Sequence, residues 1–383
     1  MKLSNTLYSR NNLLLLVFGL LLLAGNMNGF VSLLSIWLIM TVVFTPFYRY
    51  FNLQASLLLA FSFLYVTFGY LTGFINNAQQ MILFSTPVMF YLFGADVFRY
   101  FKTEKAFLIF VAGMILCYSF EVYYTILQNV IQTGEIINVS RQFYFRGNEA
   151  RQLTATLVGV NVSLGMIGIP LFFILNKYKT LRLCYLTLGL ISLLTTIHLV
   201  NRSGLAICIL CFISVFIYYY RNSRVRLILI VSLIVLLYLI LLNSGIINSD
   251  IVDAYERRND IDLMTGGDRP RRWIEALRQL FVHPLGWAEN NGTTVYYVHN
   301  MWLDIAKVVG IIPFLVLIAA TFNSFLSLRK LFKTDRNIVA AVFIGLNACF
   351  FFSCFLEPIY GGLHFCLYAF MWGIQNSFIR MNR

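Results

Sequence analysis

The sequence predicts an all-α polytopic membrane protein, with about twelve transmembrane helices and a large, partly helical loop between the ninth and tenth. Three observations carry that reading. Hydrophobic residues make up 59% of the 383 and charged residues only 12%, about half the charged share of a soluble globular chain; mean hydropathy is +0.76. The apolar residues also come in runs, and about 20 in a row suffice to cross ~30 Å of hydrocarbon as a helix. Finally, the basic residues alternate along the chain as an inside–outside pattern requires. The net charge of +13 would suggest nucleic acid in a soluble protein. Here the charges are too sparse and scattered for that partner, and the lipid bilayer takes its place.

The expected spans are 12–25, 30–48, 53–73, 80–97, 106–127, 153–175, 183–200, 204–220, 227–246, 302–327, 338–356 and 362–379. The first is short and follows Lys2 and Arg10, as in a signal peptide, but no A-x-A site follows and the next run begins almost at once. A retained hairpin is expected. With the N-terminus inside, the inner connections are basic: Arg49; Arg99, Lys102 and Lys105; Lys177, Lys179 and Arg182; Arg221, Arg224 and Arg226; Arg329, Lys330, Lys333 and Arg336. Only Asp96, Glu104 and Asp335 oppose them there. Both termini then lie inside, and residues 1–383 form a single integral membrane domain. Two long segments fall on the outer side, 128–152 and 247–301. The second contains amphipathic stretches such as Trp273–Phe281 and is rich in Trp, Tyr and Arg, so it reads as a structured cap over the membrane.

Arginine on the outer face runs against the orientation signal. The first outer loop holds Arg141, Arg146 and Arg151; the large one holds Arg257, Arg258, Arg269, Arg271, Arg272 and Arg278. Arg202 is the one charge in the turn Asn201-Arg202-Ser203-Gly204 between two apolar spans, where an ionised group is costly unless it has a task. Guanidinium groups gathered at a membrane surface suit an anion with planar oxygens, such as a lipid-linked diphosphate. Arg257, Arg258 and Arg278 read as a solvated face.

Of the histidines, His198 and His364 lie near span ends and read as packing residues, and His283 precedes Pro284 in a turn. On this reading Ala at position 364 is tolerated. His299, in Tyr296-Tyr297-Val298-His299-Asn300-Met301-Trp302, stands where the large loop re-enters the membrane. Imidazole is well matched to proton abstraction near neutral pH. Cys117, Cys184, Cys208, Cys211, Cys349, Cys354 and Cys366 all lie in apolar runs, and Cys208-Ile-Leu-Cys211 sits mid-helix without partner ligands. No Gly-rich phosphate loop, HExxH or zinc set is present; Asp260-Ile-Asp262 has only the bare spacing of a DxD element, and Glu357 in the last outer turn could face the same cavity. No cofactor or metal is expected.

At these residues the chain resembles the bacterial O-antigen ligase superfamily, which also contains lipid-linked O-antigen polymerases. Asn201-Arg202-Ser203-Gly204 resembles the family's Ser/Thr-Arg turn, with Asn201 in place of the hydroxyl residue. Arg269-Pro-Arg-Arg-Trp273 resembles an Arg-x-x-x-aromatic element that starts a periplasmic helix. His299-Asn300, nine residues and Gly310 resemble a His-Asn element leading into a membrane helix, with Pro313 where Gly, Thr or Tyr is common. The resemblance implies a metal-independent, inverting glycosyltransferase of the bacterial inner membrane, with its site facing the periplasm. It implies that Arg202 and Arg269 hold the diphosphate of an undecaprenyl-diphosphate-linked glycan, that His299 activates the acceptor hydroxyl, and that Arg146, Arg151, Arg272, Asn300 and Trp273 are accessory. The acceptor is lipid A-core for a ligase and another lipid-linked repeat unit for a polymerase; the His-Asn-x9-Gly spacing favours the ligase. A twelve-span transporter or lipid flippase is the rival from another class. Such a protein places its polar sites near the midplane, whereas the unusual polar residues here gather at the outer face.

Overall fold

The computed structural model describes residues 51–76, 78–98, 101, 103–134, 142–145, 148–221, 269–287, 298–333, 337–356 and 363–381. The expected spans 12–25, 30–48 and 227–246 lie outside them. The other expected spans all fall on helices. Among the described residues, six helices are long and apolar enough to cross a membrane: Leu53–Leu71, Glu104–Thr133, Lys179–His198, Arg202–Tyr220, Ile311–Phe332 and Ile338–Leu356. They are consistent with a multi-pass membrane protein. The chain divides into two compact units, one of residues 1–121, 272–335 and 350–383, the other of 122–271 and 336–349.

In the first unit, α1 (Leu53–Leu71) starts at Asn52, whose side chain accepts from the Ala55 N–H. The same Asn52 is hydrogen-bonded at 2.8 Å to the Tyr91 hydroxyl of α2 (Ala78–Val97). Asn376 of a later helix donates to that hydroxyl at 2.9 Å. Amides serve here because a buried polar atom in an apolar surround costs several kcal/mol unless it is bonded. Gln54 repeats the device: it donates to the Ala320 carbonyl at 3.0 Å and accepts from Asn323 at 2.7 Å. α3 (Glu104–Thr133) begins in this unit.

The second unit opens with a hairpin, β1 (Gln142–Phe145) paired antiparallel with β2 (Asn148–Thr154). Within the expected outer loop 128–152, α3 continues to Thr133 and the hairpin covers 142–145 and 148–152. The expected span 153–175 is helix in three pieces. These are α4 (Ala155–Ser163), a 3₁₀ turn over Leu164–Ile167 and α5 (Gly168–Ile174). α6 (Lys179–His198) presses on it so closely that a Cβ on Gly168 would strike the Tyr185 carbonyl. Arg182 donates to the Phe172 carbonyl at 2.7 Å and lies 4.2 Å over the Phe172 ring, a cation at a helix C-terminus, where the macrodipole favours it. α7 (Arg202–Tyr220) completes this part.

The first unit resumes in α8 (Arg269–Val282), whose course includes the amphipathic stretch 273–281. Ala276 and Leu280 turn one face of α8 onto Trp287, Val298, Leu303 and Ala306. The expected span 302–327 is corrected to two helices, α9 (Met301–Val309) and α10 (Ile311–Phe332), broken at Gly310. Gly310 has φ 83°, its N–H closes α9 on the Ala306 carbonyl, and the next N–H, of Ile311, donates to Pro284 at 2.9 Å. Both of these donors are therefore satisfied at the break. Pro313 stands in the first turn of α10, where a missing N–H costs nothing. α11 (Ile338–Leu356) and α12 (Leu363–Met381) end the described chain. α12 packs on α2 with backbones nearly touching: a Cβ on Gly94 would strike the Phe370 carbonyl, and one on Gly373 the Tyr91 carbonyl. Small residues permit that approach, as at many membrane helix pairs.

Candidate functional site

In the first unit, His299 occupies a three-residue corner held from several directions. Its φ is +57°, a left-handed conformation uncommon for a residue with a Cβ. Asn300 caps α9 by accepting the Leu303 N–H at 3.2 Å, and its amide donates to the Phe355 carbonyl at 3.3 Å. The Trp273 indole donates to the Val298 carbonyl at 3.0 Å, and its ring meets that of Phe355 edge-on at 4.9 Å. Asp304, 5% exposed, accepts the Val298 N–H on one oxygen at 3.1 Å and the Asn300 N–H on the other at 3.3 Å. Val298 and Asn300 are buried while His299 is partly exposed.

The nine residues of the His-Asn-x9-Gly element now have a physical meaning. They are α9 itself, capped by Asn300 at one end and closed by Gly310 at the other. The motif spacing is a helix length.

In the second unit, the Arg202 turn is built on the same plan. Val200 is the other non-glycine residue with positive φ among the described residues, at +50°. It ends α6, and the Asn201 N–H returns to the Thr196 carbonyl at 3.0 Å. The Asn201 side chain then caps α7 by accepting the Gly204 N–H at 3.0 Å. Asn201 is thus the N-cap of α7, a position that favours Asn, Asp, Ser or Thr. Arg202 follows as the first, exposed residue of α7. Arg269 donates from Nη1 to the Ser203 hydroxyl at 3.2 Å across 66 residues of sequence. Arg269 and the Arg202 turn therefore meet in one unit, and the N-terminus of α7 adds its positive end to their charge.

The remaining candidates are more scattered. Arg271 is exposed and Arg272 half-buried on the first turn of α8. Arg151 falls in β2. Arg141, Arg146, Arg257, Arg258, Asp260, Asp262 and Glu357 lie outside the described residues. His198 is buried at the end of α6, and His283 is partly exposed in the turn after α8.

His364 is a packing residue, as expected, and its ring is bonded at both nitrogens. Its ring is buried, Nδ1 lies 2.9 Å from the Tyr118 hydroxyl and Nε2 lies 2.7 Å from the Ser353 hydroxyl. The position joins α3, α11 and α12, a convergence that a sequence separation of 246 residues conceals. All seven cysteines are free thiols.

Sequence reasoning missed Asp304. The signal was present: it is the one acidic side chain in the apolar stretch 301–327, and an acid there needs partners. Those partners are backbone N–H groups, which no motif displays.

No family model, no curated protein and no solved structure matches the chain.

Proposed function

We propose that the protein is a metal-independent glycosyltransferase of the O-antigen ligase type, moving a glycan from undecaprenyl diphosphate to a hydroxyl of lipid A-core on the periplasmic side of the inner membrane. The observation that supports this most is the Arg269–Ser203 hydrogen bond, which joins two elements on which the family resemblance rests. In this reading Arg202 and Arg269 fork onto the diphosphate oxygens, which a lysine's point charge cannot do. The acceptor oxygen attacks C1 of the sugar from the face opposite the diphosphate. The C1–O bond to phosphorus breaks, undecaprenyl diphosphate leaves with the electron pair, and C1 inverts. His299 takes the acceptor hydroxyl proton. Diphosphate is already a good leaving group, so fixed positive charge on its developing oxyanions is the main demand.

The test is complementation of a strain lacking the chromosomal copy. Arg202→Ala, Arg269→Ala and His299→Ala each abolish glycan-bearing lipid A-core on gels, while Arg→Lys at either position restores part of it. A positioned base contributes ~10²–10⁴-fold, so His299→Ala still binds donor. If the defect instead leaves single repeat units on lipid A-core, the enzyme is the polymerase. Undiminished transfer in all three Ala variants refutes the assignment.

A further inference from the structure

We propose that Asp304 is a positioning residue that holds the His299 backbone in its left-handed conformation and so aims the imidazole. This rests on the reading of His299 as the base. The geometry points to it in three ways. First, the carboxylate spans His299: one oxygen takes the N–H before it and the other the N–H after it, at 3.1 and 3.3 Å. Two N–H groups flanking a left-handed residue turn toward one side and form a concavity that suits an anion. A carboxylate filling it stabilises that backbone over the ordinary right-handed one.

Second, Asp304 is itself fixed. It is buried at 5% exposure, lies in the first turn of α9, and its own N–H donates to the Asn300 carbonyl at 2.8 Å. Lys307, one turn on, and His299 are its charged or titratable neighbours. Third, the bonds from Trp273 and Asn300 hold residues 298 and 300 but make no demand on the sign of φ at 299. Among the described residues, it is the Asp304 carboxylate that grips both sides of the strained residue. At the corresponding turn in the second unit, Val200 has the same positive φ, and the sequence places a leucine, Leu205, at the fifth position beyond it. The carboxylate therefore belongs to the histidine corner and is not a general requirement of the turn. Strain of this kind persists where surrounding contacts over-determine it.

Two measurements test the proposal. The first is thermal unfolding of detergent-purified protein carrying Asp304→Ala, His299→Gly and both. Glycine adopts positive φ freely, so the drop in midpoint caused by Asp304→Ala should be roughly halved or better when residue 299 is glycine. Equal drops in both backgrounds overturn the clamp. The second is glycan transfer in the complementation strain, set beside binding of undecaprenyl diphosphate to the purified protein in lipid nanodiscs. Asp304→Ala should lose about 10²-fold in transfer, as a misplaced catalytic group does, with undecaprenyl diphosphate binding retained. Asp304→Asn, which keeps one acceptor oxygen, should fall between. Full transfer by Asp304→Ala alongside an inactive His299→Ala overturns this inference and leaves the reading of His299 intact. Full transfer by both overturns that reading, and the positioning role with it. Loss of undecaprenyl diphosphate binding in step with transfer makes Asp304 a fold or donor-site residue and overturns the positioning role.

Discussion

Two residues with positive φ, Val200 and His299, each stand immediately before an asparagine that caps a helix. At Val200 the chain leaves α6 and enters α7 within a few residues, and at His299 it enters α9 two residues on. A left-handed residue does this in the least space, and the following Asn accepts an otherwise orphaned N–H. The outcome is that Arg202 and Met301 open their helices at the first helical position. The Asn in each motif could be read from the sequence as a polar residue at a span end; the backbone sign at Val200 could not, since valine disfavours it. His364 shows a different limit. One hydroxyl partner, Tyr118, lies 246 residues away and the other, Ser353, on the preceding helix, so nothing in its own run marks it. His364→Ala strands the Tyr118 hydroxyl in an apolar interior, at about 1–3 kcal/mol, leaves the Ser353 hydroxyl only its bond to the Phe350 carbonyl, and opens a cavity besides. The unfolding midpoint of the purified variant should fall clearly below that of the parent; an unchanged midpoint would mean that the network contributes nothing.

At the scale of elements, apolar runs were legible and their interruptions were not. Hydropathy over 302–327 is nearly continuous, yet the chain is α9, a kink at Gly310 and α10. Hydropathy reports where a residue prefers to be and says nothing about φ. The clues lay in Gly310 and Pro313, and the decisive partner is the 284–287 segment. Pro284 accepts from Ile311 at 2.9 Å, and the Trp287 N–H donates to the Lys307 carbonyl at 2.8 Å. This lock ties the turn after α8 to the joint between α9 and α10, and so supports the corner that carries His299. Gly310→Ala would meet both obstacles at once: φ of 83° and a Cβ only 2.7 Å from the Leu285 carbonyl carbon. With ψ of −169° this is extended positive-φ backbone essentially reserved for glycine, which costs a side-chain residue roughly 1–3 kcal/mol, and the clash adds to it. The variant should express poorly or unfold at lower temperature, and transfer activity should fall with the amount of folded protein. Ala tolerated at 310 would show that the 284–287 segment does not seat there.

Over the whole molecule, what was legible is what composition encodes, namely helices, their approximate limits and their membrane character. What was hidden is what pairs across sequence, such as the Gln54–Asn323 bond over 269 residues or the Arg269–Ser203 bond. The crossing that bears most on orientation is the one in pieces, from α4 through the 3₁₀ turn to α5. Its continuous apolar part, Gly159–Ile174, is shorter than the six long spans. Length nonetheless favours a full crossing. Residues 155–163 and 168–174 rise ~1.5 Å each as α-helix and 164–167 ~2.0 Å each as 3₁₀, which together reach about 30 Å, the thickness of the hydrocarbon layer. Charge agrees, since Lys177, Lys179 and Arg182 follow directly and mark an inner end. Alkaline phosphatase fused after Gly134 should therefore be active and after Lys177 inactive, with a cytoplasmic reporter giving the reverse. Every later element depends on this result, because the Arg202 turn is one span further on and faces the periplasm only if the segment crosses. Activity at both fusion points would make 155–174 re-entrant and turn the 201–204 corner to the cytoplasm, away from any periplasmic acceptor.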